Sequence, residues 1–89
     1  MKLTEEQASQ VLYDDIWDEE NDVILYEKVS EKIIDFDREK NSADKYIIIK
    51  DVKTGKKYGA ILGDSPWIDQ NEENAKEEWE ELIPKKKNK

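Results

Sequence analysis

Residues 46–62 read YIIIKDVKTGKKYGAIL, and this stretch decides the fold. Two short runs rich in β-branched and aromatic residues, Tyr46 to Val52 and Lys57 to Leu62, are separated by Lys53, Thr54, Gly55 and Lys56. A glycine at that place supplies the positive φ of a bulged hairpin turn, so the two runs pair as antiparallel strands. Along the first run Tyr46, Ile48 and Lys50 share one face, and Ile47, Ile49 and Asp51 the other. Both faces are partly apolar, as expected where a strand is covered by a helix on one side.

Upstream, Val23 to Asp37 (VILYEKVSEKIIDFD) fits two periods. Ser30, Lys32, Ile34 and Phe36 alternate, whereas Leu25, Val29, Ile33 and Phe36 line a helix; the β formers in VILY favour one or two strands. Arg38 to Asp44 is a polar connection, and Gly63 to Pro66 ends the hairpin with a turn. At the start of the chain, Thr4 followed by Glu5, Glu6 and Gln7 fits a capping box, with Leu3 placed to staple onto Ala8. The spacing predicts a helix from about Glu5 to Asp18, with Ala8, Val11, Leu12 and Ile16 facing the core and Tyr13 and Trp17 on the flank. Asp69, three residues ahead of Glu72, is a second capping box. It predicts a helix from about Gln70 to Leu82, with Ala75, Trp79 and Leu82 on one stripe and Pro84 as the stop. The expectation is one small α+β domain over residues 1–84, with an N-terminal helix, an antiparallel sheet of about three strands and a short C-terminal helix. Lys85 to Lys89 reads as a disordered basic tail.

Composition restricts the chemistry. The 89 residues contain no cysteine and no histidine, so thiolate and zinc sites and imidazole acid–base work lack their usual residues. No cofactor and no catalytic residue is implied. Asp35 and Asp37 resemble a glycosidase pair, but a chain this short offers no cleft for a sugar. No apolar run approaches a membrane span and MKLTEEQ lacks the apolar stretch of a secretion signal, which reads as a cytoplasmic protein with no membrane partner. Charged residues make up 43% and hydrophobic ones 36% of the chain, and at this size the core is thin.

Charge is segregated. Residues 1–22 hold eight carboxylates against Lys2, and residues 64–81 hold eight against Lys76. Residues 23–63 carry nine Lys or Arg and seven acids, and the net charge is −8. Within the first expected helix, Asp14 and Asp18 are four apart, as are Asp15 and Glu19. Such like-charge pairs at the negative end of a helix dipole cost a few tenths of a kcal/mol each. A helix that only had to be soluble would mix in lysines.

The runs YEKVSEKIIDFD, KYIIIKD, GKKYGAILGDSPWID and EEWEELIP resemble a family of short proteins encoded by phages of Gram-positive bacteria. In that family a V-S-E-x-I-I-D stretch, a hairpin with G-K-x-Y and an acidic segment around S-P-W recur. The resemblance covers roughly residues 26–84 and departs at Gly63-Asp64, where a longer acidic insertion with a glutamine is common. The wider group that this chain is similar to, small acidic phage proteins made early in infection, includes inhibitors that present carboxylates in place of DNA phosphates. One type binds the bacterial nucleoid protein HU. The resemblance thus implies a host-takeover inhibitor whose partner is a basic DNA-binding protein.

The physics of a DNA substitute is compatible with that implication. Helical positions three or four apart lie about 5–6 Å from each other, close to phosphate spacing along one strand, so Asp14/Asp18/Asp22 and Glu73/Glu77/Glu80 each suit a short length of backbone. The expected partner-binding residues are Asp14, Asp15, Asp18, Glu19, Asp22, Glu73, Glu77 and Glu80. The alternative is an acidic adaptor or dimerising module without mimicry, and isoleucines on both sheet faces point to a homodimer. Dense acids between Asp14 and Asp22 lack the loop pattern of a calcium site. Trp17 and Trp67 read as lids on the core. Four lysines in the tail against two acidic blocks do not suggest direct nucleic-acid binding. Mutual repulsion of the acids predicts raised carboxylate pKa values and stabilisation by mild acid.

Overall fold

The computed structural model describes residues 1–66 and 70–83. Trp67, the capping box starting at Asp69, the stop at Pro84 and the tail Lys85–Lys89 lie outside the described residues. The elements in chain order are α1 (Glu5–Val11), β1 (Ile16–Asp18), β2 (Val23–Asp37), β3 (Ser42–Asp51), β4 (Lys57–Asp64), α2 (Gln70–Lys76) and β5 (Glu80–Leu82). The strands form one antiparallel meander in the order β1-β2-β3-β4-β5. The protein is α+β, with five strands rather than about three.

The central hairpin forms as its residues dictate. Gly55 takes φ 78°, and its N–H donates to the Asp51 carbonyl at 2.7 Å while the Asp51 N–H donates to Lys56 O at 2.8 Å. Ile47 pairs with Ala60 and Ile49 with Tyr58. Val23–Asp37 is a single long strand, with bulges between Lys28 and Ser30 and between Ile33 and Asp35. Its turn to β3 is shorter than the polar composition suggests. Asp37 Oδ1 accepts the N–H groups of Glu39 and Lys40 at 3.0 and 3.3 Å, Asn41 takes φ 52°, and pairing resumes at Ser42. On the face away from the helices, a side chain at Gly59 would run into Tyr46, whose Cζ is 2.9 Å from the position of a Cβ. Only glycine lets that ring lie across the strand.

Both helices are shorter than the periodicity predicts. The N-terminal capping box is present: the Gln7 N–H donates to Thr4 Oγ1 and the Thr4 N–H to Gln7 Oε1, each at 3.1 Å. Yet α1 stops at Val11. The N–H groups of Tyr13 and Asp14 both donate to Gln10 O, at 3.0 and 2.9 Å, and Asp14 Oδ1 takes the Asp15 N–H at 2.8 Å. Aspartate side chains compete with the helix for backbone donors in this way. The exit also removes the Asp14/Asp18 and Asp15/Glu19 repulsions that a longer helix would contain. Lys28 Nζ then donates to Leu12 O at 3.1 Å, a cation on a terminal carbonyl where the helix dipole is negative. At the other end α2 stops at Lys76, ahead of Glu77, Glu78, Glu80 and Glu81. Trp79 donates its N–H to Met1 O at 2.7 Å, and the Met1 ammonium contacts Trp79 O at 3.3 Å and the Glu78 carboxylate. β5 pairs with β4 immediately afterwards.

The core lies on one sheet face. Leu3, Ala8, Val11 and Leu12 meet Ile16, Ile47, Ile49, Ala60, Leu62 and Trp79, all buried, with Ala75 packed against them. Every core position expected from the first amphipathic segment is there, although Ile16 reaches it from a strand. Tyr13 and Trp17 are exposed. The molecule is flat, with extents of 48 × 39 × 18 Å, and no helix among the described residues is long and apolar enough to cross a membrane.

Candidate acidic binding surface

The acids of the two helices stand where helix electrostatics favour them. Glu5 and Glu6 occupy the first turn of α1, and Glu72 and Glu73 the first turn of α2, against the positive helix ends. Lys76 Nζ lies 3.2 Å from Glu72 and 4.0 Å from Glu73. Its pKa is raised, first by the hydrogen bond to Glu72, then by the charges of Glu72 and Glu73, and at longer range by Glu5. Acids from both ends of the sequence therefore share one layer.

The two expected helical rows do not form. Asp14 lies in the turn after α1, Asp18 ends β1 and Asp22 sits in the β1–β2 turn at φ 54°. Glu73 is on α2, Glu77 follows it and Glu80 belongs to β5. The regular phosphate-like spacing of a helix face is lost in both. Three of the expected residues also have work inside the chain. Asp14 holds the Asp15 N–H, and Asp15 Oδ1 accepts the Lys28 N–H at 2.8 Å, fixing β2 to the end of α1. Asp18 accepts the N–H groups of Glu20 and Asn21 at 3.1 and 3.4 Å and the Asn21 side-chain amide at 2.7 Å. These are turn-forming carboxylates.

Glu19, Glu20, Asp22, Glu77 and Glu80 are exposed, and none of them has an ion-pair partner among the described residues. They stand at the two edges of the sheet, where β1 and β5 are separated by four interstrand steps, about 19 Å. Glu80 pairs with Gly59 and so lies on the face away from the helices, whereas the exposed Glu81, which pairs with Tyr58, lies on the helix face. Glu5, Glu6, Glu72 and Glu73 lie in the helix layer between the two edges. The result is an acidic band across the helix side, opposed locally by Lys76, Lys2 and the Met1 ammonium. Glu5, Glu6 and Glu72 were not among the expected partner-binding residues. For Glu5 and Glu6 the available signal was their place directly after the Thr4 cap.

Two other features have different characters. A cleft of about 710 Å³ is bordered by Lys2, Gln7, Asp18, Tyr26, Asp51 and Lys53; both charge signs line it, so it selects neither. Burial raises the Tyr26 pKa there, with Asp51 and Tyr58 adding to the effect. On the helix side of the sheet, Lys45 Nζ lies 2.9 Å from Asp64 and 3.4 Å from Glu31, and Glu31 also meets Lys28 at 2.5 Å. This chain of charges ties β2, β3 and β4 together beyond the end of α1.

The carboxyl groups with displaced pKa values are displaced downward, opposite to the expectation from repulsion. Asp18 is lowered chiefly by the Asn21 side-chain amide, Glu31 chiefly by its hydrogen bond to Lys28, and Glu78 by the N-terminal ammonium. Their folded values lie below the unfolded ones, so this contribution is fully present above the unfolded pKa values and is lost as pH falls through the folded values. The melting temperature at low salt is expected to stay level from pH 7 to about pH 5 and to fall below about pH 4.5, near the unfolded glutamate value. A melting temperature that rises steadily through that acid range would mean that repulsion dominates. Compared with known proteins, the chain matches no family model, no curated protein and no solved structure.

Proposed function

We propose that the protein is an acidic binding module that occupies the DNA-binding surface of a basic bacterial protein, with a nucleoid protein of the HU type as the first candidate. The observation that carries this reading is the band of exposed carboxylates across the helix side, whose edge members Glu19, Glu20, Asp22, Glu77 and Glu81 have no ion-pair partner among the described residues. Duplex DNA presents about one charge per 1.7 Å of axis, so a 19 Å length carries roughly eleven. The band gathers a similar number of carboxylates over that breadth, from Asp18 through Glu5 and Glu73 to Glu81. Density of charge, rather than a helical row at phosphate spacing, is the supported form of the resemblance to DNA.

The test is displacement of labelled duplex DNA from HU. One variant combines Glu19→Gln, Glu20→Gln and Asp22→Asn; the other combines Glu73→Gln, Glu77→Gln and Glu81→Gln. Asp14, Asp15 and Asp18 stay unchanged because they hold backbone groups. Exposed ion pairs are worth about 0.2–1 kcal/mol each, so each triple variant is expected to displace DNA about tenfold less well. The wild-type effect should also fade steeply with salt. Displacement by both variants at the wild-type level, unaffected by salt, would exclude the reading. The adaptor or dimerising alternative is favoured by a different observation, the uncovered edge of β2.

A further inference from the structure

β2 has 15 residues, but its outer neighbour β1 covers only Val23 to Tyr26. The next outward N–H, that of Lys28, is taken by Asp15. From Val29 to Asp37 the outer edge of the strand has no partner strand among the described residues. Proteins commonly protect such an edge, because its unpaired N–H and C=O groups form a template for another strand. Four large apolar side chains lie along it: Ile33 is 58% exposed, Phe36 54%, and Val29 and Ile34 47% each.

The charges along this edge are self-complementary. Lys32 stands opposite Tyr46 and Asp35 opposite Asp44, so the bulge between Ile33 and Asp35 places Lys32 and Asp35 on the same sheet face. Asp35 and Asp44 are like charges in direct cross-strand pairing, which is unfavourable, and neither they nor Lys32 has an ion-pair partner among the described residues. We propose that a second copy of this chain pairs with this edge, antiparallel about a two-fold axis between Ile33 and Ile34, joining two sheets into one. Lys32 of each copy then stands opposite Asp35 of the other, and the like-charge pair gains a cation.

The register fits the length available. With Lys32 opposite Asp35, Ser30 stands opposite Asp37, so each copy contributes residues 30–37. The pairing stops before the segment that β1 and Asp15 already cover. Long-range charge also permits contact here. Residues 26–51 carry six Lys or Arg against seven acids, whereas the whole chain has net charge −8. Two copies meeting through this near-neutral arm keep their acidic bands apart. Eight paired residues per copy form an interface at the small end of the range for specific association. An interface of that size belongs to the weak, transient class.

Sedimentation equilibrium of the full chain from 5 to 500 μM at about 0.15 M salt tests the pairing, with circular dichroism melting as the control for folding. The wild type is expected to pass from monomer to dimer. K32D and D35K are each expected to weaken association about tenfold, because each places like charges opposite one another twice. An equimolar mixture of the two single variants recovers association, since one chain offers two acids where the other offers two lysines. The double variant K32D/D35K recovers it alone. A monomer throughout the range overturns the proposal. So does a dimer that neither single variant weakens, which would place the contact on the open sheet face, or a loss that mixing fails to restore.

Discussion

Replacing Trp79 by alanine is expected to cost about 3–5 kcal/mol, against a total stability of about 4–13 kcal/mol for a chain of this length. Trp79 is 2% exposed and is the largest fully buried side chain. It sits between α2 and β5, where it fills the space that Leu3, Ala8 and Val11 share with Ile47, Ile49 and Leu62. With one covered sheet face, few other side chains can relax into the vacated volume. Urea unfolding followed by circular dichroism should show a large shift of the midpoint or loss of the transition. Trp79→Phe separates shape from polarity. The indole Nε1–H is buried with no acceptor among the described residues, so phenylalanine removes an unsatisfied donor while it loses volume, and its cost should stay under about 2 kcal/mol. Equal losses for the two variants would contradict this account.

Asn74→Leu carries the second large effect. Asn74 is 2% exposed; its Oδ1 accepts the Gly63 N–H at 2.9 Å and its Nδ2 donates to Gly63 O at 2.8 Å. A side-chain amide thereby imitates a neighbouring strand on β4, beyond the reach of β5, which pairs only with Lys57 to Gly59. Gln70 Nε2 donates to the same Oδ1 at 3.3 Å, fixing the orientation of the amide. Leucine keeps the volume and leaves both Gly63 groups without partners. The expected loss is about 2–4 kcal/mol, with faster amide exchange at Gly63. Asn74→Asp keeps the acceptor but sets an oxygen against the Gly63 carbonyl, so its cost should grow as the carboxyl ionises. An Asn74→Leu variant of wild-type stability would show that water replaces the amide without loss.

The parts legible in the sequence were those where local chemistry and tertiary packing agree. Thr4 and Gln7 close the predicted box, Gly55 takes the predicted positive φ, and Ala8, Val11, Leu12 and Ile16 enter the core as their spacing demands. Helix length was misread for a related reason. Ile16 and Trp79 are buried in a strand or connection as they would be on a helix stripe, so apolar position alone did not reveal the change of structure. The deciding signal was the acids between them. The repulsive pairs Asp14/Asp18 and Asp15/Glu19, read as a sign of function, are a physical reason for the helix to end. At the second helix, four glutamates beyond Lys76 oppose continuation at the negative dipole end in the same way. β1 and β5 have three residues each, too few to show a period. The role of Asn74 depends on a neighbour 11 positions away, and no local pattern announces it.

The junction of Met1 with Trp79 also sets an order of assembly. The first three hairpins of the meander close over four or five residues each, whereas this junction joins positions 78 apart. Loop-closure entropy grows with the logarithm of length, so the long closure costs about 2 kcal/mol more than a hairpin turn. Short-range pairing forms early and the distant junction last. In reverse, α1 can lift away with its first residues while β2, β3 and β4 stay paired, opening the bed of Ile47, Ile49 and Leu62 to solvent. The contact that closes last thus joins residues 78 positions apart, and its release uncovers the core without unravelling the sheet.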